Sequence, residues 1–473
     1  MRRLNLATVG ILAALGAAAS VQYMRARHTQ IPAPMPVAPS PGAPNILLIS
    51  IDSLRRDHLG CYGYARPTSP RLDQLSREGT RFQTVVAPTT WTLPSHVTPL
   101  TALPPELHGV IVPTAQISSS TVSLAQVLQA SGYETAAFVS APFLDAGYGF
   151  SRGFDLYDDY TAVAGNKPQA HRAVNSPKLQ RAFARWFEGW IERASPRPFF
   201  AFVHMWDPHL DYDPPPPFDT LFSPDEARAE SLSARTAVAV APGVLARDIA
   251  LYDGEIRYTD LHVGMMIDLL ESHGQLDRTL IVVTSDHGDE FYEHGQTGHR
   301  ENLYDETLLV PLLLRYPPAV PSGHLVEQQV RLMDVAPTIL GLARVTTPPT
   351  FGTAAPTPFP AMDLSMHFVD SLGASRSSPP AFADLNGEQA VVRTSLTKTH
   401  AWLHPLRDVE HYDLFADPEE RRNLWEVDSA VGTSQLQVLR DWRLATQGRA
   451  GVPITARLSR EQLEVLRSLG YIE

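Results

Sequence analysis

Runs of consecutive apolar residues recur along the chain. Asn45 to Ile51 (NILLISI), Phe199 to Met205 (FFAFVHM) and Leu280 to Thr284 (LIVVT) are short and nearly unbroken. They do not alternate with polar residues, so both faces of each strand would be covered, as in a parallel sheet flanked by helices. Gly132 to Pro142 (GYETAAFVSAP) predicts a further strand and turn. Between the strands, Leu72 and Leu75 give Pro70 to Glu78 the spacing of a surface helix, and Val97 to Leu103 reads as an apolar helix. Leu332 to Leu342 predicts an outer helix interrupted near Pro337. Strands alternating with helices in this way predict an α/β architecture. Thr346 to Pro360 is Pro/Thr-rich and marks a boundary. Beyond it, Ala390 to Leu396 and His400 to Leu406 predict antiparallel strands, and Asp417 to Leu424 opens a final helical part. Tyr157 to Ser176 and Pro217 to Pro242 lack core periodicity and are expected to cover a cleft.

The strand ends carry the chemistry. The first run exits into Asp52 and the third into Ser285, Asp286, His287 and Gly288, while the second delivers His204, Asp207, His209 and Asp211. Open α/β sheets place their ligand crevice at this carboxyl edge. An adjacent Asp and His suits a divalent cation of the zinc, manganese or iron type. The plain alternatives are that Asp52 is a helix N-cap and Asp286-His287-Gly288 an ordinary turn. Thr92 in APTTWTLPSH precedes the helix-like segment, where unpaired backbone N–H groups favour an anion; it is a fit position for a nucleophile or, equally, for an N-cap.

At 473 residues, two or three domains are expected. A net charge of −12 without a basic block excludes nucleic acid as a partner. The only cysteine, Cys61, reads as a small buried residue. Arg2 and Arg3 precede an apolar run with Ala17, Ala18, Ala19 and Ser20 near its end, which fits an export signal. Arg25 and Arg27 fit instead an uncleaved membrane tether through residues 6–24. Residues 31–44 form a Pro/Ala-rich spacer. The expected layout is signal or anchor at 1–30, spacer at 31–44, catalytic unit at 45–345, connection at 346–372 and a smaller unit at 373–473. The body is expected in the periplasm or outside the cell.

Four motifs together, IDSLRRDHLGCYGY (Ile51 to Tyr64), TLPSH (Thr92 to His96), HMWDPHLDYDPP (His204 to Pro215) and SDHGDEFYEHG (Ser285 to Gly295), resemble the sulfatase branch of the alkaline phosphatase superfamily. EHYDLFADPEERRNL (Glu410 to Leu424) and LRSLGY (Leu466 to Tyr471) are similar to the carboxyl-terminal subdomain of bacterial sulfatases. The resemblance implies a three-layer sandwich with a large mixed, mainly parallel sheet, plus a small α+β subdomain with an antiparallel sheet. It implies that Asp52, Thr92, Asp286 and His287 share a divalent cation. His287, where arylsulfatases commonly have Asn, favours zinc or manganese over calcium, because imidazole is a poor calcium ligand. His209 corresponds to the histidine that contacts the substrate oxygens and protonates the leaving group. His299 falls where sulfatases place an anion-binding lysine. Asp207 is either a turn residue before Pro208 or joins His209 and His299 in a second metal site.

The chain also departs from the family. Thr92 replaces the Cys or Ser that is oxidised to formylglycine, His96 the Arg that supports it, and Ser53 a second aspartate; the Lys-x-His segment is missing. His96, His204 and Asp207 therefore stand as candidates near the substrate, His204 with a supporting or core role. Asp289, Glu290 and Glu293 read as solvated or structural, His108 and His294 as structural, and Lys398 as a solvated strand-end lysine or else a contact to substrate from the smaller unit. The expected activity is cleavage of a sulfuric, phosphoric or phosphonic ester, phosphorus favoured, in an anionic glycan, lipid or small molecule. An envelope phospho-group transferase and a catalytically degenerate binding protein are the alternatives.

Overall fold

The computed structural model describes residues 39–159, 176–193, 197–222, 242–352, 357–368, 378–403, 406–427, 429–448, 454–468 and 472. The apolar run at 6–24, most of the spacer and much of the two unpatterned segments lie outside the described residues.

The apolar runs form the centre of a nine-stranded sheet. Its strands are β1 (Asn45–Ile51), β2 (Thr80–Val86), β3 (Glu134–Phe138), β4 (Leu156–Asp158), β5 (Phe199–Met205), β6 (Thr279–Ser285), β7 (Leu309–Val310), β8 (Leu312–Arg315) and β9 (His324–Arg331). The middle runs β6-β1-β5-β3-β4, all parallel. On the other side β8 pairs antiparallel with β6 and β2, β7 antiparallel with β2, and β9 parallel with β2. The sheet is thus mixed and mainly parallel.

Both faces are covered, which is why the runs do not alternate. Ile46 and Leu48 of β1 belong to one apolar layer, and Leu47, Ile49 and Ile51 to the other. The longer helices among the described residues are α1 (Pro70–Glu78), α2 (Thr92–Thr101), α3 (Leu124–Ala130), α4 (Ser176–Ile191), α5 (Pro242–Ser272), α6 (Val335–Leu342), α7 (Ser429–Thr446) and α8 (Arg460–Ser468). The first layer packs under α2, α3 and α6, the second under α1, α4 and α5. Each aliphatic or aromatic side chain so buried contributes about 2 kcal/mol of transfer free energy. The predicted outer helix at 332–342 is a single 3₁₀ turn, Leu332–Asp334, followed by α6. Its apolar residues are buried, so it is an inner packing element, with Pro337 in its first turn where no N–H is missed.

The smaller sheet has order β10 (Ala381–Leu385), β11 (Gln389–Arg393), β12 (Thr397–Leu403), β13 (Leu406–Asp413), all antiparallel. Ala381, Ala383, Leu385 and Val391 join the main apolar layer. On the opposite face Phe382 stacks on Trp442 of α7 with ring centroids 4.3 Å apart. Lys398 on β12 corrects the sequence expectation. It is fully buried, with Nζ 3.1 Å from Asp305 Oδ1 and 2.8 Å from Glu420 Oε1, because two carboxylates from different parts of the chain converge on it. Cys61 is half-buried beside the second apolar layer.

Candidate active site

Strand register assembles the site. Ile51 of β1 lies opposite Ser285 of β6 and Met205 of β5, so the next residue of β1, Asp52, emerges beside Asp286. The Asp52 N–H donates to Met205 O at 2.9 Å, which holds the exit of β1 against β5. Ser53 then takes a left-handed backbone (φ 53°), and its N–H donates to Asp286 Oδ1 at 3.2 Å. Leu54 N–H and the His287 carbonyl share Ser285 Oγ at 2.9 and 2.8 Å. Gly288 is needed at its position: a Cβ there would run into the Glu306 carbonyl and crowd Arg55.

α2 begins at Thr92, after Trp91 in extended conformation. Ser95 Oγ donates to the Asp286 carbonyl at 2.6 Å, tying the first turn of α2 to β6. Thr92 Oγ1 lies 3.4 Å from Asp52 Oδ2 at the amino end of the helix, the electropositive end. Asp52 also faces His204 Nε2 at 3.3 Å and His287 Nε2 at 3.6 Å, and His287 Nε2 is 3.3 Å from Asp286 Oδ2. Asp52, Thr92, Asp286 and His287 therefore converge, all buried.

A divalent cation fits this set. One ligand atom each from Asp52, Asp286 and His287 lies within 4.8 Å of the others, and Asp286 Oδ2 and His287 Nε2 are buried without a hydrogen-bond partner. Such atoms cost about 1–3 kcal/mol each when left unpaired. Burial raises the Asp52 pKa, which His287, His96 and His299 only partly offset. Burial lowers that of His287, but Asp286, Asp52 and Asp289 outweigh it and leave it raised. Protein alone thus tends to keep protons on groups that a cation would deprotonate.

The supporting histidines differ. His96 sits inside α2, with Nδ1 donating to Thr92 O at 2.8 Å and Nε2 2.9 Å from Ser50 Oγ. Burial lowers its pKa to about 4. Both ring nitrogens face protein, so His96 braces the turn that presents Thr92. His204 is fully buried, its ring 4.8 Å from that of His96, and burial again lowers its pKa to about 4. His209 donates Nδ1–H to Leu210 O at 2.6 Å and stacks on Trp206 at 3.9 Å. His299 lies between His287 and His209, with ring centroids 4.4 and 5.0 Å away. Three imidazoles therefore line one side of the site. Asp207 Oδ2 accepts from Ser176 N at 3.0 Å and Oγ at 2.7 Å, holding the start of α4. Among the described residues, two further groups could hold a cation, His287, Asp289 and His299, and Glu290, Glu293 and Glu306, and neither includes Asp207.

Asp289 is the residue that sequence reasoning undervalued. It is fully buried, accepting from His299 Nδ1 and from Tyr212 Oη, each at 2.7 Å. Arg55 binds its carbonyl at 3.0 Å and pairs with Glu293 and Asp57 at 2.6 and 2.7 Å. The signal was the second carboxylate two positions after His287. His294, as expected, is structural, bridging Glu306 and the Glu420 carbonyl at 2.7 and 3.1 Å. His108 Nδ1 accepts from Val110 N at 3.0 Å.

Comparison with known proteins agrees with this architecture. Residues 44–345 match the family model described as Sulfatase, and residues 292–440 that described as N-sulphoglucosamine sulphohydrolase, C-terminal. An ulvan-active sulfatase of Formosa agariphila is 25% identical over 333 residues, covering 65% of this chain and 63% of that protein. Mouse steryl-sulfatase is 26% identical over 405 residues, covering 67% of this chain and 64% of its own. The chain thus spans less than two thirds of the length of these relatives. Among solved structures, a protein in complex with its substrate D-glucosamine-2-N,6-O-disulfate superposes with a TM-score of 0.71 at 19% identity, covering 86% of this chain and 98% of the other. The phosphonate monoester hydrolase of Agrobacterium radiobacter superposes at 0.70 with 20% identity, covering 88% and 100%. At these identities the superpositions establish the shared α/β fold, with its large mixed sheet and small antiparallel sheet. With a family model spanning 44–345 and a site assembled at the matching strand ends, the chain belongs to the sulfatase family of the alkaline phosphatase superfamily.

Proposed function

We propose that this protein is a metal-dependent hydrolase of anionic esters that works through a covalent Thr92 intermediate, with phosphoric or phosphonic esters preferred over sulfuric esters. The observation that carries the reading is Thr92 Oγ1 at the start of α2, 3.4 Å from Asp52 and beside Asp286 and His287. A divalent cation held by Asp52, Asp286 and His287, zinc or manganese by its imidazole ligand, would favour the threonine alkoxide and draw charge off the ester. Thr92 Oγ forms the bond to phosphorus or sulfur as the bond to the departing alcohol breaks. His209, held by Leu210 O and Trp206, supplies the proton that oxygen takes up, and His299 faces the non-bridging oxygens. Water then cleaves the threonine ester and restores the hydroxyl. Direct use of threonine supports phosphorus over sulfur, since a formylglycine cannot form from it. The basic and then apolar start of the chain supports a body secreted to or tethered in the periplasm.

The test is the initial rate on p-nitrophenyl phosphate, p-nitrophenyl phenylphosphonate and p-nitrophenyl sulfate with added zinc or manganese, and Thr92→Ala as the blank. Phosphorus ester cleavage that the blank lacks is expected. Cleavage of sulfate alone would overturn the preference, and equal rates for the blank would remove Thr92 from the chemistry.

A further inference from the structure

We infer that Tyr212 is a positioning residue of the reaction: its phenol ties Asp289 to the loop that carries His209, so that His209 and His299 are held before the substrate as one unit. The inference rests on the ester-hydrolase reading above and adds a residue to it.

The loop from Asp207 to Asp213 follows β5 and is held to α5 at both ends. Thr259 Oγ1 donates to Asp207 O at 3.0 Å, and Asp213 N–H donates to Glu255 Oε1 at 2.8 Å. Between these holds the chain turns inward at Tyr212, which is 4% exposed. Its Oη donates to Asp289 Oδ2 at 2.7 Å, while the other oxygen of the same carboxylate, Oδ1, accepts from His299 Nδ1 at 2.7 Å. The Asp289 carbonyl is held in turn by Arg55 Nη1 at 3.0 Å. Asp289 therefore has one oxygen for each histidine-bearing segment and cannot swing toward one without releasing the other. The circuit closes on itself, because the rings of His209 and His299 meet edge to face with centroids 5.0 Å apart.

The ring and the hydroxyl of Tyr212 do separate jobs. The ring lies against Tyr252 and Phe291, with centroids 5.2 and 5.9 Å away, and a phenylalanine would keep those contacts. The hydroxyl reaches a fully buried carboxylate, where a charge-assisted bond is about twice as strong as a neutral one. A carboxylate only accepts, so His299 carries its hydrogen on Nδ1 and keeps Nε2 for the site. Proton transfer needs its donor within hydrogen-bond reach of the departing oxygen, so a small rotation of either imidazole weakens the transition state more than the bound substrate. Tyr212 acts on that step through Asp289 and the loop.

The test is kcat/KM of the full chain with its cation, wild type against Tyr212→Phe, on p-nitrophenyl phosphate and phenyl phosphate, or on the matching sulfates if those are the esters cleaved. p-Nitrophenolate departs without a proton, whereas phenolate draws on His209. Tyr212→Phe is expected to lower kcat/KM about tenfold on the phenyl ester and less than about threefold on the nitrophenyl ester, with its metal content unchanged. Asp289→Asn, which loosens the same link from the other side, should show the same dependence on the leaving group. Adding Tyr212→Phe to it should cost less than about twofold more, because the link is already weakened. Equal losses on the two esters, no loss on either, metal loss from Tyr212→Phe, or independent penalties in the double variant would each overturn the inference while leaving the reaction in place. A wild type inert toward every ester would overturn the ester-hydrolase reading, and this inference with it.

Discussion

Nδ1 of His299 and Oδ1 of Asp289 are joined at 2.7 Å, and the bond fixes which nitrogen of the imidazole is turned into the site. Burial raises the Asp289 pKa, but the charge and hydrogen bond of His299 outweigh it and bring it from 3.8 to about 2. The folded value lies below the unfolded one. The stabilisation is therefore complete above about pH 4 and is lost as pH falls through 2, and it amounts to about 2 kcal/mol. Asp289→Asn should lose about that much in urea unfolding at pH 7, with the difference narrowing at pH 2.5. It should also lower kcat about tenfold to a hundredfold with little change in KM, because the ring is no longer held. Matching urea curves at pH 7 would refute the pairing.

Thr92→Ala should lower kcat about a thousandfold or more, whereas Thr92→Ser, which keeps the hydroxyl, should stay within about tenfold. Acid-quenched turnover followed by intact-mass analysis should show a phosphoryl or sulfuryl adduct on the wild type and none on Thr92→Ala. A full adduct on Thr92→Ala would place the nucleophile elsewhere.

Chelation should abolish activity and lower the melting temperature together, since Asp286 Oδ2 and His287 Nε2 are left buried without a hydrogen-bond partner. Zinc or manganese at a hundred times its dissociation constant should restore about 2.7 kcal/mol. Elemental analysis of the protein as purified gives the stoichiometry. Retained activity in a metal-free sample would sink the assignment.

Lys398→Met should destabilise the fold by about 3–5 kcal/mol, because Asp305 and Glu420 would face each other buried and without the cation. Denaturant unfolding measures this. A loss under 1 kcal/mol would mean the carboxylates rearrange toward Arg393, which already bonds Asp305 at 2.7 Å.

Gly288→Ala should cost about 1–3 kcal/mol and reduce metal affinity, since the added methyl meets the Glu306 carbonyl and shifts the His287 backbone. Metal titration of the variant should reveal weaker binding, and wild-type affinity would show that the chain yields there.

Much of this was legible in the chain. The unbroken runs at 45–51, 199–205 and 280–284 form adjacent parallel strands because only a strand covered on both faces can be apolar at every position. Asp52 and Asp286 were visible as strand exits, and register alone brings them together. Lys398 was misread because a charged residue at a strand end is ordinarily solvated, and nothing local announces partners at 305 and 420. The same holds for Tyr212 and Asp289, whose contact joins distant stretches of chain. His96 follows a local rule, a ring bonded to the carbonyl four residues earlier in its helix, yet its place under Thr92 required the Ser50 contact.

The quartet of Asp305, Arg393, Lys398 and Glu420 makes the small sheet a keystone over the connection that carries His299 and Arg300. The small sheet cannot be shuffled or shed as a cassette, because its loss would strand an anion inside the body and open the apolar layer that Ala381, Ala383 and Val391 complete. In descent, this seam would stay frozen while substrate preference changes elsewhere in the chain.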